Sequence, residues 1–171
     1  MMEIQKDLLS AGEGKETPKQ VEDLSFGSVF SDHMFTMRYS DGQWHSPLIS
    51  GYSALELDPA SLVLHYGQGI FEGMKAYRRN GDVYLFRPTQ NISRFNNSAS
   101  RMVMPPIDED FMLDAIEELI RIEKEWIPSK SGTSLYIRPT MIATESKLGV
   151  KPSDEYIFFI ILSPVGPYFK E

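Results

Sequence analysis

Apolar and polar residues alternate along "SVFSDHMFTMRYSDGQWHSPLIS" on both sides of Asp41-Gly42. A period of two sends successive side chains to opposite faces of a strand, and Asp-Gly accepts the positive φ of a type I′ turn, so the stretch predicts a β-hairpin. "MKAYRRNGDVYLFR" repeats the device, with Asn80-Gly81 between two aromatic-rich strands. After Arg87-Pro88 the period changes: "TQNISRFNNSASRM" carries Ile92, Phe95, Ala99 and Met102 at helical spacing, and Pro105-Pro106 closes it. "DEDFMLDAIEELIRIEKEW" has the clearest stripe, Phe111, Ala115 and Leu119 beside Met112, Ile116 and Ile120, and predicts a helix over 108–126 with acids at its start and Pro128 just past its end. "GTSLYIRPTMIA" and "EYIFFIILSPVGPYF" read as two further strands. The second is apolar almost throughout, as a central strand covered on both faces would be. This order predicts an α+β fold, a mainly antiparallel sheet with helices packed on one side. Residues 1–22, charged and punctuated by Gly and Pro, read as a flexible tail ahead of a domain over 23–171.

Composition narrows the function classes. The chain has 171 residues and a 42% apolar fraction, enough for one domain with a hydrophobic core. It has no apolar run of the roughly eighteen residues that span a bilayer, and its start lacks a secretory pattern. No membrane partner is expected. Cysteine is absent, which removes disulfides and thiolate metal sites and makes the cytoplasm the expected compartment. With 17 Lys+Arg against 24 Asp+Glu, the net charge of −7 has the wrong sign for neutralising phosphates on nucleic acid. His33, His45 and His65 show no metal-ligand spacing.

The candidate chemistry begins at "LHYGQGIFEGMKAYRR", where Gly67, Gly69 and Gly73 surround Tyr66 and Phe71. The glycines lead into a strand rather than a helix, so they do not make a dinucleotide cradle. They permit a tightly bent strand entry, and that bend could also present Tyr66 and Phe71 to a cavity. Arg94 lies mid-helix beside Asn91 and Ser93. It reads either as a solvated helical arginine or as a planar fork for a phosphate or carboxylate. Tyr136 and Arg138, two apart in "SLYIR", share one face of a strand expected to be buried. A buried guanidinium calls for an anionic partner, from the protein or from a ligand.

Taken together, "LHYGQGIFEGMKAYRRNGDVYLFRPTQNISRFNNSASRMVMP", "GTSLYIRPTMIATESKLGV" and "FFIILSPVGPYF" resemble the N-terminal half of a branched-chain amino acid aminotransferase, of the fold-type IV, pyridoxal-phosphate-dependent class. The resemblance runs from "FGSVFSDHM" at Phe26 to the last residues. It implies that Arg94, in the "RPxxNxxR" pattern of Arg87, Pro88 and Asn91, holds the phosphate of pyridoxal 5'-phosphate. It implies that Phe26, Tyr66 and Phe71 wall the pocket for the substrate side chain and that Tyr136 and Arg138 lie near the substrate carboxylate. Leu148 and Val150, in "SKLGV", resemble loop residues that reach the pocket of the other subunit in a homodimer. The implied substrates are leucine, isoleucine, valine and their 2-oxo acids, with 2-oxoglutarate and glutamate as the exchange pair. The Schiff-base lysine of the class belongs to a second, C-terminal domain, and neither Lys75 nor Lys147 lies in a motif like it. The isolated chain is therefore expected to be inactive. A D-amino acid aminotransferase, an aminodeoxychorismate lyase and a non-catalytic binding module share the implied architecture and stand as alternatives.

Overall fold

Asp41 and Gly42 take φ of 51° and 75°, and Asn80 and Gly81 take 54° and 89°, so both predicted turns form where the sequence puts them. The computed structural model describes residues 2–18 and 26–167. The first turn joins β2 (His33–Ser40) to β3 (Gln43–Gly51), and the second joins β5 (Met74–Arg79) to β6 (Asp82–Leu85). Both predicted helices form, α2 over Pro88–Arg101 and α3 over Glu109–Ile122, the latter followed by a short 3-10 turn at Lys124–Trp126. β7 (Ser134–Ala143) and β8 (Tyr156–Val165) complete the predicted set. Three short elements carry no periodic signal: β1 (Gln5–Asp7), α1 (Leu62–Tyr66) and β4 (Gly69–Phe71).

The strands form one eight-stranded sheet in the order β1-β3-β2-β8-β7-β5-β6, with β4 paired to β7. Every pairing is antiparallel except that of β1 with β3. The fold is thus α+β. One face of the sheet is closed by helices. Phe158 of β8 makes edge contacts with Phe35 of β2 and Phe95 of α2, at centroid distances of 5.9 and 5.5 Å, and Phe35 meets Phe111 of α3 at 6.4 Å. The apolar stripe of α3, from Phe111 to Ile120, is buried as its spacing dictates. Its N-cap Asp108 accepts a bond from the Phe111 amide at 2.9 Å, and Glu109 and Asp110 complement the helix dipole in the first turn. In α2, Ile92, Phe95 and Ala99 are buried, but Met102 falls at the helix exit and is exposed.

One expectation requires correction. The stretch read as a flexible tail is tied down over much of its length: β1 pairs with Leu48–Ser50, the Leu9 amide donates to His33 Nε2 at 3.0 Å, and the Lys15 amide donates to Asp32 at 2.8 Å. The side chains of β1 are all exposed, so backbone pairing and the Lys6–Glu118 ion pair fix it and no hydrophobic pattern could announce it. Residue 1 and residues 19–22 of that stretch lie outside the described residues. β8 lies inside the sheet between β2 and β7, as expected of a central strand, and is buried over most of both faces: Tyr156, Phe158, Ile160 and Leu162 under the helices, and Ile157, Ser163 and Val165 on the opposite face, where Phe159 and Ile161 are half-buried.

Candidate functional site

β7 separates its residues cleanly. Leu135, Ile137, Met141 and Ala143 are buried on the helix side, and Tyr136, Arg138, Thr140 and Ile142 are half-buried on the other. The premise that Tyr136 and Arg138 face a buried interior is therefore wrong, because the alternation of the strand turns them to the open face. They do share it. Arg138 donates to the Tyr136 hydroxyl through Nε and Nη2 at 3.1 and 2.8 Å. Its guanidinium carbon lies 4.2 Å from the Phe71 ring centroid, a cation–π contact. Phe26 meets the Tyr136 ring edge-on at 4.8 Å. Among the described residues no carboxylate pairs with Arg138.

The approach of β4 and β5 to β7 makes this cluster possible. β4 and β5 share a single register on β7, Phe71 opposite Thr140 and Met74 opposite Ile137. The ladder is interrupted between them because Pro139 has no N–H to return the bond that the Glu72 amide gives to its carbonyl at 3.0 Å. At Gly73 a Cβ would overlap the Tyr136 hydroxyl and lie 2.9 Å from Cζ, so only glycine leaves room for the tyrosine. Lys75, half-buried, stands directly across from Tyr136 and therefore on the same face.

Between Phe71 and Gly73 the chain turns Glu72 to the helix side, where its side chain is 6% exposed. Glu72 pairs with Arg94 of α2 through both oxygens, with Arg94 Nη2 to Oε2 at 2.7 Å, and also accepts from Asn91 Nδ2 at 3.2 Å and from the Gly73 amide at 3.1 Å. Burial works to raise its pKa, but the bonds from Arg94, Asn91 and Gly73 outweigh burial and hold the carboxyl below its ordinary range. The hydrogen bond from Glu72 in turn raises the pKa of Arg94. Arg94 keeps 67% of its side chain exposed, in a shallow depression lined by Arg87, Asn91, Ser93 and Asn97. Glu72 was not singled out from the sequence. The signal was present, since an acid between two residues that must share the open face has to point inward.

Of the eight residues expected at the site, the structure gathers Phe26, Phe71, Tyr136 and Arg138 and links them to Arg94 through Glu72. Tyr66 stands at the end of α1 beside His65, 46% exposed. Leu148 and Val150, 68% and 92% exposed, project from the loop between β7 and β8. Among the described residues no cluster of three or more His, Cys, Asp or Glu could hold a metal ion, and no helix is long and apolar enough to cross a membrane.

The open sheet face thus carries an arginine–tyrosine pair between aromatic rings, with a second arginine on the neighbouring helix. Residues 69–169, well over half of the chain, match amino-transferase class IV, and the chain belongs to that family. Among its relatives are branched-chain amino acid aminotransferases. The transaminase 1 of Bacillus subtilis (strain 168) is 55% identical over 157 residues, covering 91% of this chain and 44% of that protein. The aminotransferase 2 of the same organism is 51% identical over 170 residues, covering 98% and 46%. The chain thus spans less than half the length of these relatives. Among solved structures, the branched-chain amino acid aminotransferase of Escherichia coli superposes with a TM-score of 0.57 at 23% identity, over 80% of this chain and 41% of that one, a likeness of fold.

Proposed function

We propose that this chain is the part of a branched-chain amino acid aminotransferase that grips the cofactor phosphate and walls the substrate pocket, with leucine, isoleucine and valine exchanging amino groups with 2-oxoglutarate. The observation that carries this reading is the open-face cluster: a guanidinium and a phenol hydroxyl between the rings of Phe26 and Phe71, with no carboxylate of the described residues on Arg138. A substrate carboxylate would satisfy Arg138, and the Tyr136 hydroxyl, which accepts from Arg138 twice, keeps its own hydrogen to donate. The rings of Phe26 and Phe71 offer an apolar wall for an aliphatic side chain. Such a wall distinguishes substrates by only about 1–3 kcal/mol per methylene, so overlapping specificity among the three amino acids follows.

The residues around Arg94 fit the phosphate of pyridoxal 5'-phosphate. Glu72 fixes one edge of the guanidinium, and the depression beside it offers the Ser93 hydroxyl and the Asn97 amide as further donors. The cofactor, when bound, supplies an electron sink that makes the substrate Cα–H acidic. The chain's own residues orient: Arg138 and Tyr136 hold the carboxylate, and the rings exclude water from the side-chain pocket. Tyr66, exposed at the end of α1, is assigned to the wall of the substrate pocket, and Leu148 and Val150 to a contact with the pocket of a second subunit. The Schiff-base lysine is assigned to a segment outside this chain, together with the domain that closes over the open face.

Turnover decides the substrate class. The complete enzyme should transaminate leucine, isoleucine and valine with 2-oxoglutarate, and activity on D-alanine with none on these three would overturn the reading. The 171-residue chain incubated with pyridoxal phosphate and reduced with borohydride should show no single lysine labelled stoichiometrically. Full labelling of Lys75, the lysine across from Tyr136, together with measurable transamination, would place the whole active site within this chain.

A further inference from the structure

We propose that Gln68 is a positioning residue, a clasp that fixes the loop carrying Leu148 and Val150 against the exit of the Arg94 helix. Gln68 sits between α1 and β4 and is 9% exposed. Gly67, in the left-handed region at φ 65°, ends α1 and turns the chain inward, and at Gly69 a Cβ would lie 3.3 Å from the Met141 carbonyl. The two glycines that flank Gln68 therefore admit its side chain to the interior.

Once inside, the carboxamide uses both ends. Nε2 donates to the Met102 carbonyl at 3.0 Å and to the Tyr156 hydroxyl at 3.3 Å, and Oε1 accepts from the Ser153 amide at 3.1 Å. Its backbone carbonyl accepts from the Ala143 amide at 3.0 Å. One residue thus joins the last turn of α2, the start of β8 and the far end of the loop between β7 and β8. The corner at α2 needs holding: Val103 is β-branched yet takes φ of 55°, a conformation that costs free energy and persists only where the surroundings fix it. Tyr156 contributes by donating to the Val103 carbonyl at 3.4 Å.

The loop itself is closed from within. Glu145 accepts from Lys151 Nζ at 2.8 Å and from the Asp154 amide at 2.9 Å, and the Ser153 hydroxyl donates to the Glu155 carbonyl at 2.6 Å. Leu148 and Val150 are therefore apolar residues at the tip of an ordered base rather than on a slack connection. Gln68 is the group that couples this base to the cofactor helix. A carboxylate of the same shape would face the Met102 carbonyl with an acceptor where a donor is needed.

The consequence for catalysis rests on the reading of Leu148 and Val150 as contacts to a second subunit's pocket, but the clasp can be tested without it. Gln68→Glu in this chain should accelerate amide hydrogen exchange at residues 145–155 on the order of tenfold while β7 and β8 keep their rates. Tyr156→Phe, which leaves the Ser153 bond in place, should accelerate exchange at 102–104 and spare 145–155. Unchanged exchange at 145–155 in Gln68→Glu, or equal acceleration throughout the sheet, would overturn the clasp. In the complete enzyme, Gln68→Glu should raise KM for leucine about five- to tenfold with kcat within about twofold. A fall in kcat as large as the fall in kcat/KM, or an unchanged KM, would overturn the positioning role. If the unaltered enzyme does not act on leucine, the functional reading fails while the exchange measurement still decides the clasp.

Discussion

The two faces of β7 and β8 differ in what fills them. On the helix side Phe158, Ile160, Met141 and Ile137 lie wholly buried against α2, α3 and their neighbours. On the open side the same strands present Tyr136, Arg138, Phe159 and Ile161, half-buried, with Phe71 exposed above them. The first face is chemically plain and closely packed, so its stability comes from apolar area removed from water. The second joins aromatic rings to a guanidinium whose partners are a phenol and a π-face. A face of that kind leaves bonding capacity over, which is what a site requires and a core avoids. The junction Phe71-Glu72-Gly73 belongs to both, because alternation along a strand sends 71 and 73 to one side and 72 to the other.

The largest expected effect breaks this comparison or confirms it at two adjacent residues. Phe158→Ala should destabilise the chain by about 3–5 kcal/mol, the usual cost of emptying an aromatic site in a packed core. Phe159→Ala, one residue along and on the open face, should cost about 1 kcal/mol, since only partly buried area is lost. Urea unfolding of both variants makes the measurement. Equal losses would mean that the open face is covered in solution, for instance by a second copy of the chain.

That asymmetry also explains what could be read from the sequence. Periodicity reports which residues share a face, so the two hairpins, both long helices and the two central strands were legible from their spacing. It does not say whether a face is covered, and Tyr136 and Arg138 were placed on a buried one. β1 escaped because its three side chains are exposed and it is held by backbone pairing and the Lys6–Glu118 ion pair rather than by apolar burial, and α1 and β4 because they are too short to show a period. The site residues were visible by family pattern, but Glu72 was not among them: its inward turn is signalled only by the alternation that puts its neighbours Phe71 and Gly73 on the open face.

Gly73→Ala should have the next largest effect and acts on the open face alone. The new methyl needs the space of the Tyr136 hydroxyl, so the tyrosine must leave Arg138 or the strands must part. Overpacking of this sort costs about 1–3 kcal/mol. Gly73→Ala combined with Tyr136→Phe should recover part of the loss, because the hydroxyl, the atom in closest conflict, is gone while Cζ still crowds the methyl. No recovery in the double variant would show that the hydroxyl is not what excludes a side chain at 73.

Arg94→Ala probes the junction between the faces. It removes the phosphate grip and leaves Glu72 buried with only Asn91 and the Gly73 amide as donors. In the complete enzyme the affinity for pyridoxal phosphate should fall on the order of tenfold to a hundredfold, as expected for loss of charge-assisted hydrogen bonds. Equilibrium dialysis would measure it, and an unchanged affinity would remove Arg94 from the cofactor site.

The smallest effect sharpens the comparison within the covered side, which holds two buried carboxylates of opposite character. Glu72, bonded by Arg94, Asn91 and the Gly73 amide, has its pKa lowered from the ordinary 4.5. Its pairing therefore stabilises the fold above pH 4.5 and is lost as the pH falls through its depressed folded value. Glu123 lies at the end of α3, 2% exposed, facing His33 and the Asp32 amide and carboxylate, with Lys15 and Trp126 on Asp32 beyond. There burial dominates over the His33 bond and raises the pKa above 4.5. A raised carboxyl works in the opposite sense: its contribution is complete below pH 4.5 and is lost as the pH rises through the folded value. Urea midpoints between about pH 3 and 7 should then separate the two. Glu72→Gln should flatten the decline of stability at the acid end, and Glu123→Gln should flatten the slope above pH 4.5, whatever constant offset either change brings. The slopes carry the comparison. Should Glu72→Gln leave the acid limb as steep as before, the Arg94 pair does not hold that carboxylate ionised, and the junction loses its claim to a charge that is fixed in advance of any ligand.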